Sequence, residues 1–272
     1  MEYTFTELCW LFLIYSFIGW VIEAAVGTIK NRRFTNRGFS TGPFCIVYGI
    51  AAVVMSVTLT ELIDNPVFLF IGCGVQATVI EWITGKTLER LNRRKWWDYS
   101  GKKMNFDGYI CLQYTLLWAV LGVLCLKYGN TFFLFLYNFI PQPVPAIISY
   151  ILIGYVALDA ALSLAAVLHL RKQPAKTGRP AGRITLRLYH VASSLINHVE
   201  RRMTKAYPVF EERAEEILKE GRFAEGCGFY KLFWLFLTGA LLGDITETIF
   251  CRLTSGVWMS RSSLVWGPFS IV

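Results

Sequence analysis

The sequence predicts an all-α integral membrane protein, and three observations carry that prediction. The 272-residue chain is 54% hydrophobic and 15% aromatic, with a mean hydropathy of +0.44. Its apolar residues gather in runs close to the roughly 20 residues needed to cross about 30 Å of hydrocarbon. Its basic residues, finally, fall in the loops that follow alternate runs.

The predicted spans, in order, are residues 8–29, 44–62, 67–83, 109–126, 144–170 and 229–249, with a seventh opening at Leu264. The first has neither a basic leader nor a small-residue cleavage site after it, so it reads as a retained helix. A run at 131–140, between Asn130 and the Pro141-Gln142-Pro143-Val144-Pro145 break, is too short to cross and reads as an interfacial or half-inserted helix.

Basic residues stay on the cytoplasmic side. Residues 30–42 hold four, 85–107 seven and 171–228 twelve of the 27 Lys and Arg. This places the N-terminus outside and 171–228 in the cytoplasm. The net charge of +8 is then a topological bias with attraction to anionic lipid, and it calls for no nucleic-acid partner. Three units result: a first membrane unit at 1–170, a cytoplasmic helical linker at 171–228, and the start of a second membrane unit at 229–272. The linker carries an amphipathic pattern (Ile184, Leu188, Val191, Leu195, Val199, Met203) suited to a membrane surface, self-packing or a partner.

Two stretches repeat. Gly19 pairs with Gly243, Glu23 with Glu247, Phe34 with Trp258 and Arg37 with Arg261; one inserted residue later Gly42-Pro43-Phe44 pairs with Gly267-Pro268-Phe269. Five spans begin before the second copy, so the copies run in opposite directions. Inverted repeats of this kind are a transporter architecture. Since the second copy breaks off soon after Leu264, the chain is expected to continue beyond Val272. The Gly42-Pro43 and Gly267-Pro268 turns lead into helices, whose N-termini attract anions.

Ionisable groups are costly inside a bilayer and tend to line pathways or pair. Those in the spans are Glu23, Glu81, Asp159, Asp244 and Glu247, all acidic, with Gln76 as a neutral companion. One reading pairs Glu23 with Arg37 and Glu247 with Arg261 as two closures, leaving Asp159 and Asp244 for a cationic group or proton. The other lets each Glu-Arg pair neutralise itself and pin its connection. Trp96 and Trp97 read as interfacial anchors. The seven scattered cysteines read as small hydrophobes, and no metal, cofactor or catalytic motif is expected. The Gly85-Lys86-Thr87 triplet lacks the earlier glycine of a phosphate-binding loop, Ile80 standing in its place.

The runs "NRGFSTGPFCIVYG" and "LERLNRRKWWDYSGKKMNFDGYICLQYTLLW", with the preceding Gly-x-x-x-Glu, resemble the bacterial ABC-transporter permease family of the CmpB type, also called type IV. The resemblance covers about residues 8–170. Where the family usually has Pro after the cysteine, this chain has Ile46. The resemblance implies a permease in the bacterial cytoplasmic membrane, embedded in lipid, served by a separate ATPase and open to homo-oligomerisation, with the substrate unspecified. A membrane enzyme acting on a lipid or lipid-linked substrate, and a sensor or scaffold, are the alternatives.

Overall fold

The computed structural model describes residues 3–34, 36, 39–92, 95–171 and 228–255. Arg37, Arg261, Gly267, Pro268, the linker after Arg171 and the seventh span lie outside the described residues. The side chain of Asp244 does as well.

Helix α1 (Phe5–Asn31) starts at a reciprocal cap. Thr4 Oγ1 accepts from the Glu7 amide and the Glu7 carboxylate accepts from the Thr4 amide at 2.8 Å. The helix closes at Arg32, in the left-handed region with φ 50°. Helix α2 (Ile46–Thr58) has 13 residues, or about 20 Å. Helix α3 (Pro66–Asn92) begins on a proline, which gives up no helical hydrogen bond at the first position. Helix α6 (Val144–Arg171) follows the proline-rich break, and helix α7 (Phe229–Ser255) comes last among the described residues.

Among the described residues, four segments are long and apolar enough to cross a membrane: Phe5–Lys30, Pro66–Arg90, Leu112–Phe139 and Val144–Ala165. The apolar stretches Ile46–Thr58 and Phe229–Gly243 are shorter. Two expectations change here. The span predicted at 44–62 is a shorter helix, Ile46–Thr58, followed by a 3-10 turn at Thr60–Leu62, with Phe44 and Cys45 as non-helical backbone before it. The short helix predicted at 131–140 is not separate. Helix α4 (Leu112–Leu124) passes through a π turn at Cys125–Gly129 directly into α5 (Asn130–Phe139).

Asn130 reads locally as a break, yet it is a tie. It is 1% exposed and accepts from Tyr15 Oη at 3.0 Å, while its amide lies 3.1 Å from Tyr3 Oη and 2.8 Å from Ser56 Oγ. Tyr15 Oη also reaches the Cys125 carbonyl at 3.2 Å, in the π turn. One side chain thus binds α1, α2 and the α4–α5 helix. Asn130→Leu is expected to lower stability by about 2 kcal/mol, from three lost bonds at about 0.6 kcal/mol each in a membrane protein. Thermal unfolding in detergent measures it, and a midpoint equal to wild type contradicts the role.

Helices α3 and α4 pack antiparallel at small residues: Gly74 faces Ala119, Gly122 faces Cys73, and the Thr78 and Thr115 hydroxyls meet at 2.8 Å. Helix α6 buries one stripe, Pro145, Ser149, Val156, Asp159 and Ser163. Its other faces expose Ile147, Ile151, Leu158 and Leu162, as suits a helix surrounded by lipid. Helix α2 runs back along α1, with Tyr48 over Gly19 and Ser56 at the Asn130 tie near the start of α1.

Between α3 and α4 the chain forms a small hairpin, β1 (Asn105–Phe106) against β2 (Ile110–Cys111), Phe106 opposite Ile110. Asp107 and Gly108, at φ 54° and 72°, make its turn, a backbone that favours Asp-Gly. The hairpin is fastened by an ion pair of Lys86 with Asp107 at 3.1 Å. Lys86 and Lys95 both lie over the Tyr109 ring, and Phe106, Tyr109 and Ile110 pack on Trp234 of α7.

Candidate functional site: a backbone strap inside the bundle

After α1 ends, the chain turns back along it. The Cys45 amide donates to the Ser16 carbonyl at 2.8 Å. Ser16 lies fifteen residues before the end of α1, which is about 22 Å of helix. Residues 39–45 therefore run as non-helical backbone at the middle of the bundle, and α2 starts there.

Backbone at that depth has no water to satisfy it, so it persists only where protein groups do so. Asp159, near the middle of α6, supplies the acceptor. Its Oδ2 receives the Gly42 amide at 2.8 Å and the Ser40 hydroxyl. Ser40 is 1% exposed and Asp159 9%. The approach requires glycine: a Cβ on Gly42 would stand 2.6 Å from Tyr155 Oη and 3.3 Å from Asp159 Oδ2. Phe44 completes the seat against the rings of Phe17 and Tyr155. The carboxylate oxygen thus offers one acceptor to two partners, an N–H and an O–H.

The other two acids of the first unit meet around α2. Tyr48 donates to Glu23 Oε1 at 3.0 Å, and Tyr99, from the segment before the hairpin, donates to Glu81 Oε1 at 3.2 Å. The Gly-x-x-x-Glu spacing on α1 now has a local explanation. One helical turn separates Gly19 from Glu23 on one face; the glycine admits the Tyr48 ring and the glutamate takes its hydroxyl. Tyr48 packs edge-on to Trp118, and Tyr99 stacks on Tyr114 at 4.5 Å. The Trp118 N–H is close to Glu81, though not in hydrogen-bond alignment with it.

Burial, then the nearby Glu81 carboxylate, push the Tyr99 phenol above its ordinary value. Tyr99 accordingly remains an O–H donor at physiological pH.

Of the residues singled out from the sequence, Asp159, Gly42 and Pro43 come together at the strap, while Glu23 is held by Tyr48 and Glu81 by Tyr99. Glu247 is half-buried on α7, and Asp244 contributes backbone to the same helix. Trp96 is 8% exposed and packs against Phe39 of the strap, while the Trp97 N–H donates to the Tyr109 carbonyl at 2.8 Å. Sequence reasoning passed over Ser40, Tyr48, Tyr99, Trp118 and Tyr155. Only the hairpin turn had a readable local signal, its Asp-Gly pair.

A helical bundle with broken backbone at mid-depth, latched by one buried acid, is a class of membrane architecture met in transporters. The chain belongs to the family described as "Putative ABC-transporter type IV", whose model matches residues 10–164. The matched region contains the strap, Asp159, both glutamates and the hairpin, and it ends before α7. No curated protein and no solved structure matches the chain.

Proposed function

We propose that this chain is the membrane-embedded permease of an ABC-type transporter. Its ATPase is a separate chain on the basic face, and the N-terminus lies outside a bacterial cytoplasmic membrane. One observation carries the reading: a strap of non-helical backbone held at mid-bundle by Ser40 and Gly42 on Asp159. Unwound segments at this depth build the substrate pathways of transporters, because their backbone groups are free to face a ligand when the packing opens. Membership of the family supports the ATPase. In this mechanism α6 moves against α1, and Asp159 releases the strap in one state and seats it in the other.

Inverted membrane vesicles from producing cells test it. They are incubated with cell extract, with and without ATP, and their contents compared by mass spectrometry. At least one solute should accumulate with ATP in wild type and fail to do so with Ser40→Ala, a variant whose fold is checked by gel filtration. Modification of a membrane lipid without solute movement would sink the transport reading in favour of the enzyme one.

A further inference from the structure

Helix α6 presents side-chain oxygens to the strap at successive turns. Tyr155, Asp159 and Ser163 are four residues apart, so they stack on one face at about 6 Å per step. The strap runs antiparallel to them. Phe44 meets the Tyr155 ring, Gly42 lies between Tyr155 Oη and Asp159 Oδ2, and Ser40 bonds Asp159. The next turn of α6 brings Ser163, which is fully buried, level with the start of the strap.

Three oxygens here are not used by the seat. Both strap donors go to Asp159 Oδ2, and among the described residues Oδ1 receives no hydrogen bond. Ser163 Oγ and Thr41 Oγ1 are buried and have no hydrogen-bond partner. Ser56, Thr78 and Ser149 each return their hydroxyl to the carbonyl four residues back, and Ser163 does not. Thr41 is fixed through its carbonyl, which accepts from the Asn36 side chain at 3.1 Å. Asp159 has no ion-pair partner among the described residues, where Lys86 pairs with Asp107.

We propose that the Asp159 carboxylate, with the hydroxyls of Ser40, Thr41 and Ser163, binds an alkali-metal cation between the strap and α6. Carboxylate and hydroxyl oxygens are ligands for hard cations, and a hydroxyl that donates to Asp159 still has lone pairs to offer. One carboxylate balances one positive charge. A divalent ion would leave net charge buried in its turn. A proton would need Asp159 alone and would leave the Thr41 and Ser163 hydroxyls unsatisfied, whereas a cation engages them all. Unwound backbone at mid-depth holds coupling ions in other transporters. Occupancy ties the strap to α6, and release of the ion frees it. Binding at this seat requires no ATPase, so it stands or falls apart from the ABC reading.

The test is thermal unfolding of the purified full chain in detergent, in NaCl, KCl and choline chloride at one ionic strength. The midpoint in NaCl or KCl should exceed that in choline by about 4 °C at a tenfold excess over the dissociation constant. Thr41→Val and Ser163→Ala leave Asp159 and its two strap bonds in place, and each should raise the half-saturating salt concentration about tenfold. Asp159→Asn should lose the salt response; if it fails to fold, the two hydroxyl variants decide. Equal midpoints in the three salts overturn the site. So does a rise that both hydroxyl variants leave unchanged, since the ion then binds elsewhere. A rise that behaves as expected, in a chain whose vesicles accumulate no solute with ATP, upholds the site and removes the ABC reading.

Discussion

Asp159→Ala is expected to lose about 3 to 5 kcal/mol of stability, the largest effect of any single polar substitution in the described bundle. The carboxylate accepts two hydrogen bonds, and bonds to a charged group contribute about 1.5 to 3 kcal/mol each. Its removal also leaves the Gly42 amide and Ser40 hydroxyl without a partner where water does not reach. At roughly 2 to 4 °C per kcal/mol for a domain of this size, the unfolding midpoint in detergent should fall by on the order of 10 °C. Asp159→Asn keeps an oxygen for both donors and should lose about half as much. Ser40→Ala removes one donor and should cost about 1 to 2 kcal/mol. The ordering Ala, then Asn, then Ser40→Ala is the content of the claim. A midpoint for Asp159→Ala within about 2 °C of wild type would mean that the carboxylate does not hold the strap.

The acid itself was legible in the sequence, and what it touches was not. A carboxylate in a long apolar run stands out because its insertion cost demands a reason. Ser40, Tyr48 and Tyr99 are ordinary residues in ordinary positions, and they become partners only because α1, α6 and the hairpin segment converge on them. The long helices were legible for the same reason that their lengths match the bilayer. The strap was not, since Phe44-Cys45 runs without a break into the apolar pattern of α2, and tertiary contacts to Ser16 and Asp159 keep the chain before Ile46 out of the helix. The break expected at Asn130 failed in the opposite sense. A polar residue after glycine looks like a terminus, but its amide is satisfied from α1 and α2 and the helix runs on.

The repeat depends on the same point. Its inverted sense was counted from five crossings, and α2, at 13 residues, is one of them only if the strap supplies the rest of the span. The reading of two opposed units therefore stands or falls with a non-helical crossing. The Gly-x-x-x-Glu motif that opens the first unit can be tested separately from that count.

Gly19→Ala is expected to lower stability by about 1 to 3 kcal/mol, the usual range for an extra methyl in a packed site. The added Cβ would lie 2.3 Å from Tyr48 Cγ and 2.6 Å from its Cβ, so α1 and α2 must part or the ring must swing off Glu23. Tyr48→Phe, which removes only the hydroxyl that Glu23 accepts at 3.0 Å, should cost about 1 kcal/mol. Tyr48→Ala empties the space above the glycine, and in that background Gly19→Ala should cost almost nothing. The two substitutions are thus coupled by at least about 1 kcal/mol, beyond the few tenths by which independent sites fail to add. A double-mutant cycle read by thermal unfolding supplies the number. If Gly19→Ala costs as much without the Tyr48 ring as with it, the glycine serves α1 alone and the motif is not a seat for Tyr48. If the coupling appears and solute accumulation falls with it, the spacing on α1 is there to hold Tyr48 on Glu23, at the point where the strap becomes a helix.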